Sequence, residues 1–217
     1  MSKYLFISKD FNEVELLASF LSQKGITLIA QSFLHFEPVP FTVEKPFDVI
    51  FFSSPRCVLF FRLLYKIPEN TLIACPGNKT AELLSNLGYK VDFIGERSGN
   101  ISENSEAFKK WCGDKKVLFP SSDKSLQSFA SNLLENQKEI VTVYETKIVS
   151  KPLEYCDIYV FTSPSNVEGF LNLNKIPTQA KVYSWGESTT SFLENKGITV
   201  TKTLENSSIE DLINLLK

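Results

Sequence analysis

Residues 48–91 read DVIFFSSPRCVLFFRLLYKIPENTLIACPGNKTAELLSNLGYKV, and residues 157–200 read DIYVFTSPSNVEGFLNLNKIPTQAKVYSWGESTTSFLENKGITV. The two stretches align without a gap at a constant offset of 109. Identical pairs include Asp48/Asp157, Ser54/Ser163, Pro55/Pro164, Pro68/Pro177, Gly77/Gly186, Thr80/Thr189 and Gly88/Gly197. A repeat of this kind decides the architecture before any local reading does. Half of the 217 residues is close to that offset, so the chain reads as a duplicated unit.

Outward from the repeat, short β-rich runs alternate with amphipathic stretches. Strands are expected at 4–8, 27–32, 48–53, 71–75, 90–94, 116–120, 140–144, 157–162, 181–185 and 198–202, all rich in Val, Ile, Phe, Tyr or Thr. Several are apolar throughout, as strands covered on both faces of a parallel sheet are. Between the first two, residues 11–24 place Val14, Leu17, Phe20 and Leu21 on one helical face. Gly25, Gly88 and Gly197 each follow a helical stretch and precede a strand, where a helix C-cap calls for positive φ. The alternation implies βαβ units and an α/β fold.

Two stretches break the rhythm. Residues 33–46 (FLHFEPVPFTVEKP) carry three prolines, and residues 147–155 (KIVSKPLEY) are similarly extended; both read as linkers. If both cross between domains, one domain is 1–33 plus 147–217 and the other is 34–146, each with five strands and about four helices. A second echo fits this partition: residues 3–33 resemble 115–145, with a β-α-β pattern in both. A cut at the duplication midpoint is the simpler alternative, and the sequence leaves both open.

A net charge of −2 lacks the cationic field of a dedicated nucleic-acid binder, and the densest basic spots, Lys109–Lys110 and Lys115–Lys116, read as solvated faces. No apolar run reaches the roughly 18–20 residues of a membrane span, and the N-terminus turns charged too early for a secretory signal. The four cysteines (Cys57, Cys75, Cys112, Cys156) form no C-x-x-C pair, which argues against a disulfide framework or zinc site. His35 has no second histidine to join as a metal ligand. The expectation is a cytoplasmic protein without membrane or nucleic-acid partners and without a metal site. Nothing demands more than a monomer.

The repeated turns carry the chemistry. Ser53–Ser54–Pro55 and Thr162–Ser163–Pro164–Ser165 each join a strand to a helix, with Ser at the N-cap and Pro at the first helical position. Gly77–Asn78–Lys79–Thr80 and Gly186–Glu187–Ser188–Thr189 are glycine-opened junctions, and Pro120–Ser121–Ser122–Asp123 is a related turn. Ligands of α/β sheets bind at the carboxyl ends of the strands, where helix N-termini hold carboxylates or phosphates. Any one such turn reads as plain capping. Their repetition in both halves points to a large, multiply anionic ligand, and neither a Walker loop nor G-x-G-x-x-G is present.

The order F-[ST]-S-P, then G-x-x-T or G-x-x-T-A with a following glycine, in both halves, with TVYET at 142–146 between them, resembles the uroporphyrinogen-III synthase family over essentially the whole chain. The resemblance implies two similar three-layer α/β/α domains of the flavodoxin-like kind with parallel five-stranded sheets. They would be joined by two extended linkers with a cleft between them. It implies a cofactor-free lyase that closes hydroxymethylbilane, a linear tetrapyrrole with eight carboxylates, losing water and inverting the last ring. It also implies that Tyr144 assists departure of the hydroxyl. Ser53, Ser54, Gly77, Asn78, Lys79, Thr80, Ser121, Ser122, Ser163, Pro164, Ser165, Gly186, Ser188 and Thr189 would bind substrate. A plainer reading of Tyr144 is packing at a strand end. Three departures stand out: Glu187 where the family often has proline, Pro76 and Trp185 before the glycines, and Lys9 near the place of an arginine. The competing class is a non-catalytic two-domain module that binds a small anion, and motif order favours the enzyme.

Overall fold

The computed structural model describes residues 3–96, 100–125 and 127–217. The chain divides into two compact units, residues 1–35 with 147–217, and residues 36–146.

The first unit is built on a five-stranded sheet. Its strands are β1 (Lys3–Ile7), β2 (Ile26–Ala30), β9 (Ile158–Phe161), β10 (Lys181–Ser184) and β11 (Lys202–Thr203), in the order β11-β10-β9-β1-β2 with every pairing parallel. Alternation along the central strands sends side chains to opposite faces. Leu5, Ile7, Ile158 and Val160 enter one cluster with Leu17 and Leu21 of α1 (Glu15–Gln23) and Leu212 of α7 (Ile209–Leu216). Phe6, Tyr159 and Phe161 enter another with Val167 and Phe170 of α5 (Pro164–Leu171) and Leu193 of α6 (Glu187–Asn195). Both faces are thus covered, which makes three layers.

The second unit repeats the plan with β3 (Leu34–Pro38), β4 (Val49–Phe51), β5 (Leu72–Cys75), β6 (Phe93–Ile94), β7 (Val117–Ser122) and β8 (Lys138–Ile148), ordered β3-β8-β7-β4-β5-β6. Ile50 and Leu118 pack with Val58 and Phe61 of α2 (Pro55–Leu64) and Leu84 of α3 (Asn78–Asn86). Val49, Phe51 and Phe119 pack with Phe108 and Cys112 of α4 (Ile101–Cys112).

Several identical pairs of the repeat serve the sheets. Asp48 and Asp157 accept the backbone N–H of Lys116 and Tyr4, each at 2.8 Å, and so start the neighbouring strand. Gly88 and Gly197 adopt φ +85° and +74° where the sequence called for positive φ, as does Gly25 at +66°. Asp92 and Thr201, also related by the offset, take over a ladder bond. Their side chains accept the N–H of Ile73 (3.0 Å) and Val182 (3.1 Å) while their own N–H groups bond back to the same residues. That substitution explains why the strands expected at 90–94 and 198–202 shrink to two residues at 93–94 and 202–203.

Two local expectations are corrected. The segment expected as a linker at 33–46 contains β3, which makes this sheet six-stranded rather than five-stranded. The cause is β8, which runs for eleven residues to Ile148 and offers a long edge; Val39 N–H bonds to the Val143 carbonyl at 3.0 Å just beyond β3. The helix expected between β7 and β8 is replaced, among the described residues, by a single 3-10 turn at Ala130–Asn132. Gln127 sits at φ +52°, and the hydroxyls of Ser125 and Ser131 bond to nearby backbone, which competes with helix formation.

Candidate functional site

In the first unit and in the second, the repeated turns lie at the carboxyl ends of the parallel strands. The Ser-Pro turns turn out to be spent largely on capping. Ser54 Oγ accepts the Cys57 N–H at 3.3 Å and starts α2, and Ser163 Oγ accepts the Asn166 N–H at 3.3 Å and starts α5. Ser163 is further held by Asn166 Nδ2 at 3.1 Å. Pro164 and Ser165 form the first turn of α5 and are half-buried. Ser53 is exposed, with its hydroxyl 3.4 Å from Cys57 Sγ.

The glycine turns differ. Gly77 and Gly186 are the N-caps of α3 and α6 in fully extended backbone, and among the described residues no side chain caps either helix. Asn78 and Lys79, like Glu187 and Ser188, are exposed, whereas Thr80 (3 % exposed) and Thr189 (2 %) face inward. Uncapped first-turn amides and the positive end of the helix dipole form a carboxylate acceptor. Behind Gly77, burial pushes the Cys75 thiol up, and the thiol donates to the Gly77 carbonyl at 3.6 Å. Glu187 in the first turn of α6 complements the same dipole.

The second unit gathers most of its expected residues around two neighbouring cavities. One, of about 290 Å³, has walls of Phe51, Phe119 and Phe129 with Ser53 and Ser121 among its polar groups. The other, of about 510 Å³, is lined by Gly77, Asn78, Lys79 and Thr80, and both share Pro76. Gly95 is forced there by space, since a Cβ would stand 2.5 Å from the Pro76 carbonyl oxygen. Ser122 falls outside these linings; a β-bulge after Ser121 sets it opposite Tyr144. Asp123 then closes the turn, its N–H bonding to the Tyr144 carbonyl (3.2 Å) and its carboxylate accepting the Thr146 N–H (3.1 Å).

Tyr144 is 7 % exposed. Its ring stacks on Phe60 (centroids 5.0 Å apart, 27° between planes) and meets Phe36 edge-on at 5.9 Å. The Arg56 guanidinium lies 3.5 Å above the Phe36 ring. Reading the sequence missed Phe36 and Phe60 as neighbours of Tyr144 and Arg56 as the cation over Phe36. The one available signal was the position of Arg56 directly after the Ser-Pro turn. In the first unit, Lys9 and Trp185, each noted only as a departure, meet: Lys9 Nζ lies 5.6 Å from the Trp185 ring centre. Among the described residues no three His, Cys, Asp or Glu side chains gather to hold a metal ion, and no helix is long and apolar enough to cross a membrane.

Comparison with known proteins agrees with this layout. The crystal structure of uroporphyrinogen-III synthetase from Helicobacter pylori superposes with a TM-score of 0.72 at 20 % identity, covering 100 % of this chain and 98 % of that one. A mutant uroporphyrinogen III synthase from Thermus thermophilus gives 0.58 at 13 % identity, covering 99 % and 97 %. At these identities the likeness establishes the fold. No curated protein matches the chain. The family model described as uroporphyrinogen-III synthase HemD matches residues 15–214, nearly the whole length, and the chain therefore belongs to the uroporphyrinogen-III synthase family.

Proposed function

We propose that this chain closes hydroxymethylbilane to uroporphyrinogen III with loss of one water, as a cyclising lyase of tetrapyrrole biosynthesis. The family match over residues 15–214 carries the reading, and the uncapped starts of α3 and α6 support it by offering acceptors for carboxylates. The chemistry asks little of an acid. A proton transferred to the terminal hydroxyl lets it depart as water, and the pyrrole nitrogen stabilises the cation left on the methylene carbon. In solution the bilane closes directly, without inversion. An enzyme must instead hold a conformer in which the substituted α-carbon of the last ring attacks the cation, giving a spiro intermediate. The old bond from that carbon to the neighbouring bridging methylene then breaks, and the methylene cation so formed recloses on the ring's free α-carbon, which releases a proton.

Holding eight carboxylates is then the main task. Gly77, Asn78, Lys79 and Thr80 at α3, and Gly186, Ser188 and Thr189 at α6, are the assigned anchors. Ser53, Ser121 and Ser122 supply further hydroxyls, while Ser54 and Ser163, with Pro164 and Ser165, act chiefly by fixing their helices. Tyr144 is assigned to donate a hydrogen bond to the departing hydroxyl. Its aromatic packing on Phe60 and Phe36 supports this by fixing the ring without engaging the phenol oxygen. The protein is taken to act as a cytoplasmic monomer.

The test is to supply enzymatically generated hydroxymethylbilane, oxidise the products and resolve the uroporphyrin isomers. Isomer III is expected. Isomer I alone, at a protein concentration that binds substrate, would leave only a binding module. Tyr144→Phe should lower kcat by roughly tenfold, below the roughly hundredfold or more typical of a positioned general acid because the cation forms readily, with little change in product affinity; equal losses would make Tyr144 a binding residue.

A further inference from the structure

The departures at Lys9 and Trp185 meet at one place in the first unit. Lys9 is the second residue beyond β1 and Trp185 the first beyond β10, and these strands flank β9. Both therefore stand at the carboxyl edge of the sheet. The edge is firmly built. Thr162 donates twice to Ser8 across the ends of β1 and β9, its backbone N–H to Ser8 Oγ and its hydroxyl to the Ser8 carbonyl, each at 2.8 Å. The Trp185 backbone N–H bonds to the Phe161 carbonyl (2.8 Å), and Ser207 Oγ donates to the Trp185 carbonyl. Trp185 is half-buried and packs against the core on the α1 and α7 side. Lys9 lies over its ring, and among the described residues the acid it meets is Glu13, whose Oε1 accepts from Nζ at 3.0 Å. The Lys9 side chain keeps 24 % of its surface exposed and that of Glu13 46 %.

An ammonium has three donors, and Glu13 uses one of them. The Trp185 ring restrains the stem and orients the head. Glu13 meanwhile demonstrates the chemistry, because it is a carboxylate already seated on this cation. From the 3-10 turn Phe11–Glu13, its other oxygen also accepts the Asp10 N–H at 3.3 Å. It competes with an incoming carboxylate.

We propose that Lys9 is a carboxylate-binding residue for an acetate or propionate arm of the tetrapyrrole. Trp185 is its positioning residue, and Glu13 is an internal competitor that the substrate displaces. The assignment rests on the functional reading above and extends it to a site in the first unit that depends on side chains rather than on helix amides. The position is particular to the second copy of the repeat, since Pro76 occupies the place of Trp185 in the first.

The experiment measures steady-state formation of isomer III from enzymatically generated hydroxymethylbilane for wild type, Lys9→Met, Lys9→Arg and Glu13→Gln. Lys9→Met retains the aliphatic stem and should raise KM roughly tenfold with kcat within about twofold, as loss of one charge-assisted contact predicts. Lys9→Arg should restore most of the affinity. Glu13→Gln should lower KM about two- to fivefold, an effect that a merely structural role for the pair would not produce. In a Trp111→Phe background, Trp185 is the sole indole. Its emission should change on titration with colourless uroporphyrinogen III under anaerobic conditions, and Lys9→Met should weaken that titration. An unchanged KM in Lys9→Met, or a raised KM in Glu13→Gln, overturns the assignment while leaving the enzyme reading intact. Isomer I alone from the wild-type protein overturns the enzyme reading first and this assignment with it.

Discussion

Replacing Gly169 by alanine sets two opposing effects against each other, and the geometry decides between them. Gly169 lies within α5, and alanine is favoured over glycine in a helix by about 1 kcal/mol. A Cβ at this position, however, would stand 2.5 Å from Phe33 Cβ, 2.9 Å from Ile148 Cγ2 and 3.3 Å from Phe33 Cγ. Ordinary contact requires about 3.5–4.0 Å, so Phe33 must retreat by more than an ångström. It has nowhere to go. Phe33 is fully buried, its ring packs 6.0 Å from Phe6 and 5.9 Å from Phe170, and its N–H is held by Asn166 Oδ1 at 2.8 Å. Its carbonyl accepts the Val149 N–H at 2.9 Å. Overpacking against such a fixed group costs about 3 kcal/mol, leaving a net loss of about 2 kcal/mol after the helix gain. Urea unfolding of Gly169→Ala, followed by circular dichroism and, in a Trp111→Phe background, by Trp185 emission, should show that loss. Phe33→Ala keeps the clashing Cβ but removes the ring that pins it among Phe6 and Phe170, so in that background the same substitution should cost less, by about 1 kcal/mol or more. A Gly169→Ala protein as stable as the parent, or one whose effect is the same in both backgrounds, would refute the packing argument.

Tyr144→Ala should cost about 3–5 kcal/mol because the ring fills a core position between Phe60 and Phe36. Tyr144→Phe should stay within about 0.5 kcal/mol in the same urea titration. Burial pushes the Cys156 thiol up to about 12, with Asp157 and Glu154 adding to the effect, and raises Cys75 and Cys112 as well. Native protein at pH 8 should therefore react with Ellman's reagent at these thiols only after unfolding, when all four cysteines respond. Burial works against the charge of Asp92, yet the Lys90 ammonium and the Ile73 N–H outweigh it and hold its carboxyl below the usual range. A depressed folded-state value means stability present above the unfolded carboxylate range near 4 and lost as pH falls through the folded value. Asp92→Asn should accordingly melt below wild type at pH 7, and the two melting curves should converge in acid.

What the sequence exposed about this fold was local. Gly25, Gly88 and Gly197 announced helix ends because positive φ is a property of one residue, and Ser54 and Ser163 announced helix starts because their hydroxyls act three residues away. What stayed hidden depends on partners distant in the chain. β3 exists only because β8 extends to Ile148, and the turn at 130–132 replaces a helix because backbone around Gln127 bends away from it. The uncapped state of α3 and α6 could not be read either, since a glycine N-cap does not say whether another side chain reaches over it.

The repeat itself separates what the two copies share from what each does alone. Shared positions such as Asp48/Asp157 and Asp92/Thr201 maintain the sheets. Divergent positions on the matching helices α2 and α5 do something else. Phe60 of α2 and Gly169 of α5 are related by the same offset of 109. Phe60 supplies a ring that stacks on Tyr144, whereas Gly169 withdraws its side chain so that Phe33 and Ile148 can enter. Cys57 and Asn166 are likewise related: the first is a small apolar filler of the core, and the second uses its amide to hold Phe33. Phe33 lies beside β3, and Tyr144 and Ile148 lie on β8, the two segments through which the chain passes between its units. One ancestral helix face has therefore been adapted twice. In one copy it fixes the tyrosine assigned to the chemistry, and in the other it seats the connecting chain, so symmetry was given up at the positions where the two halves had to do different work.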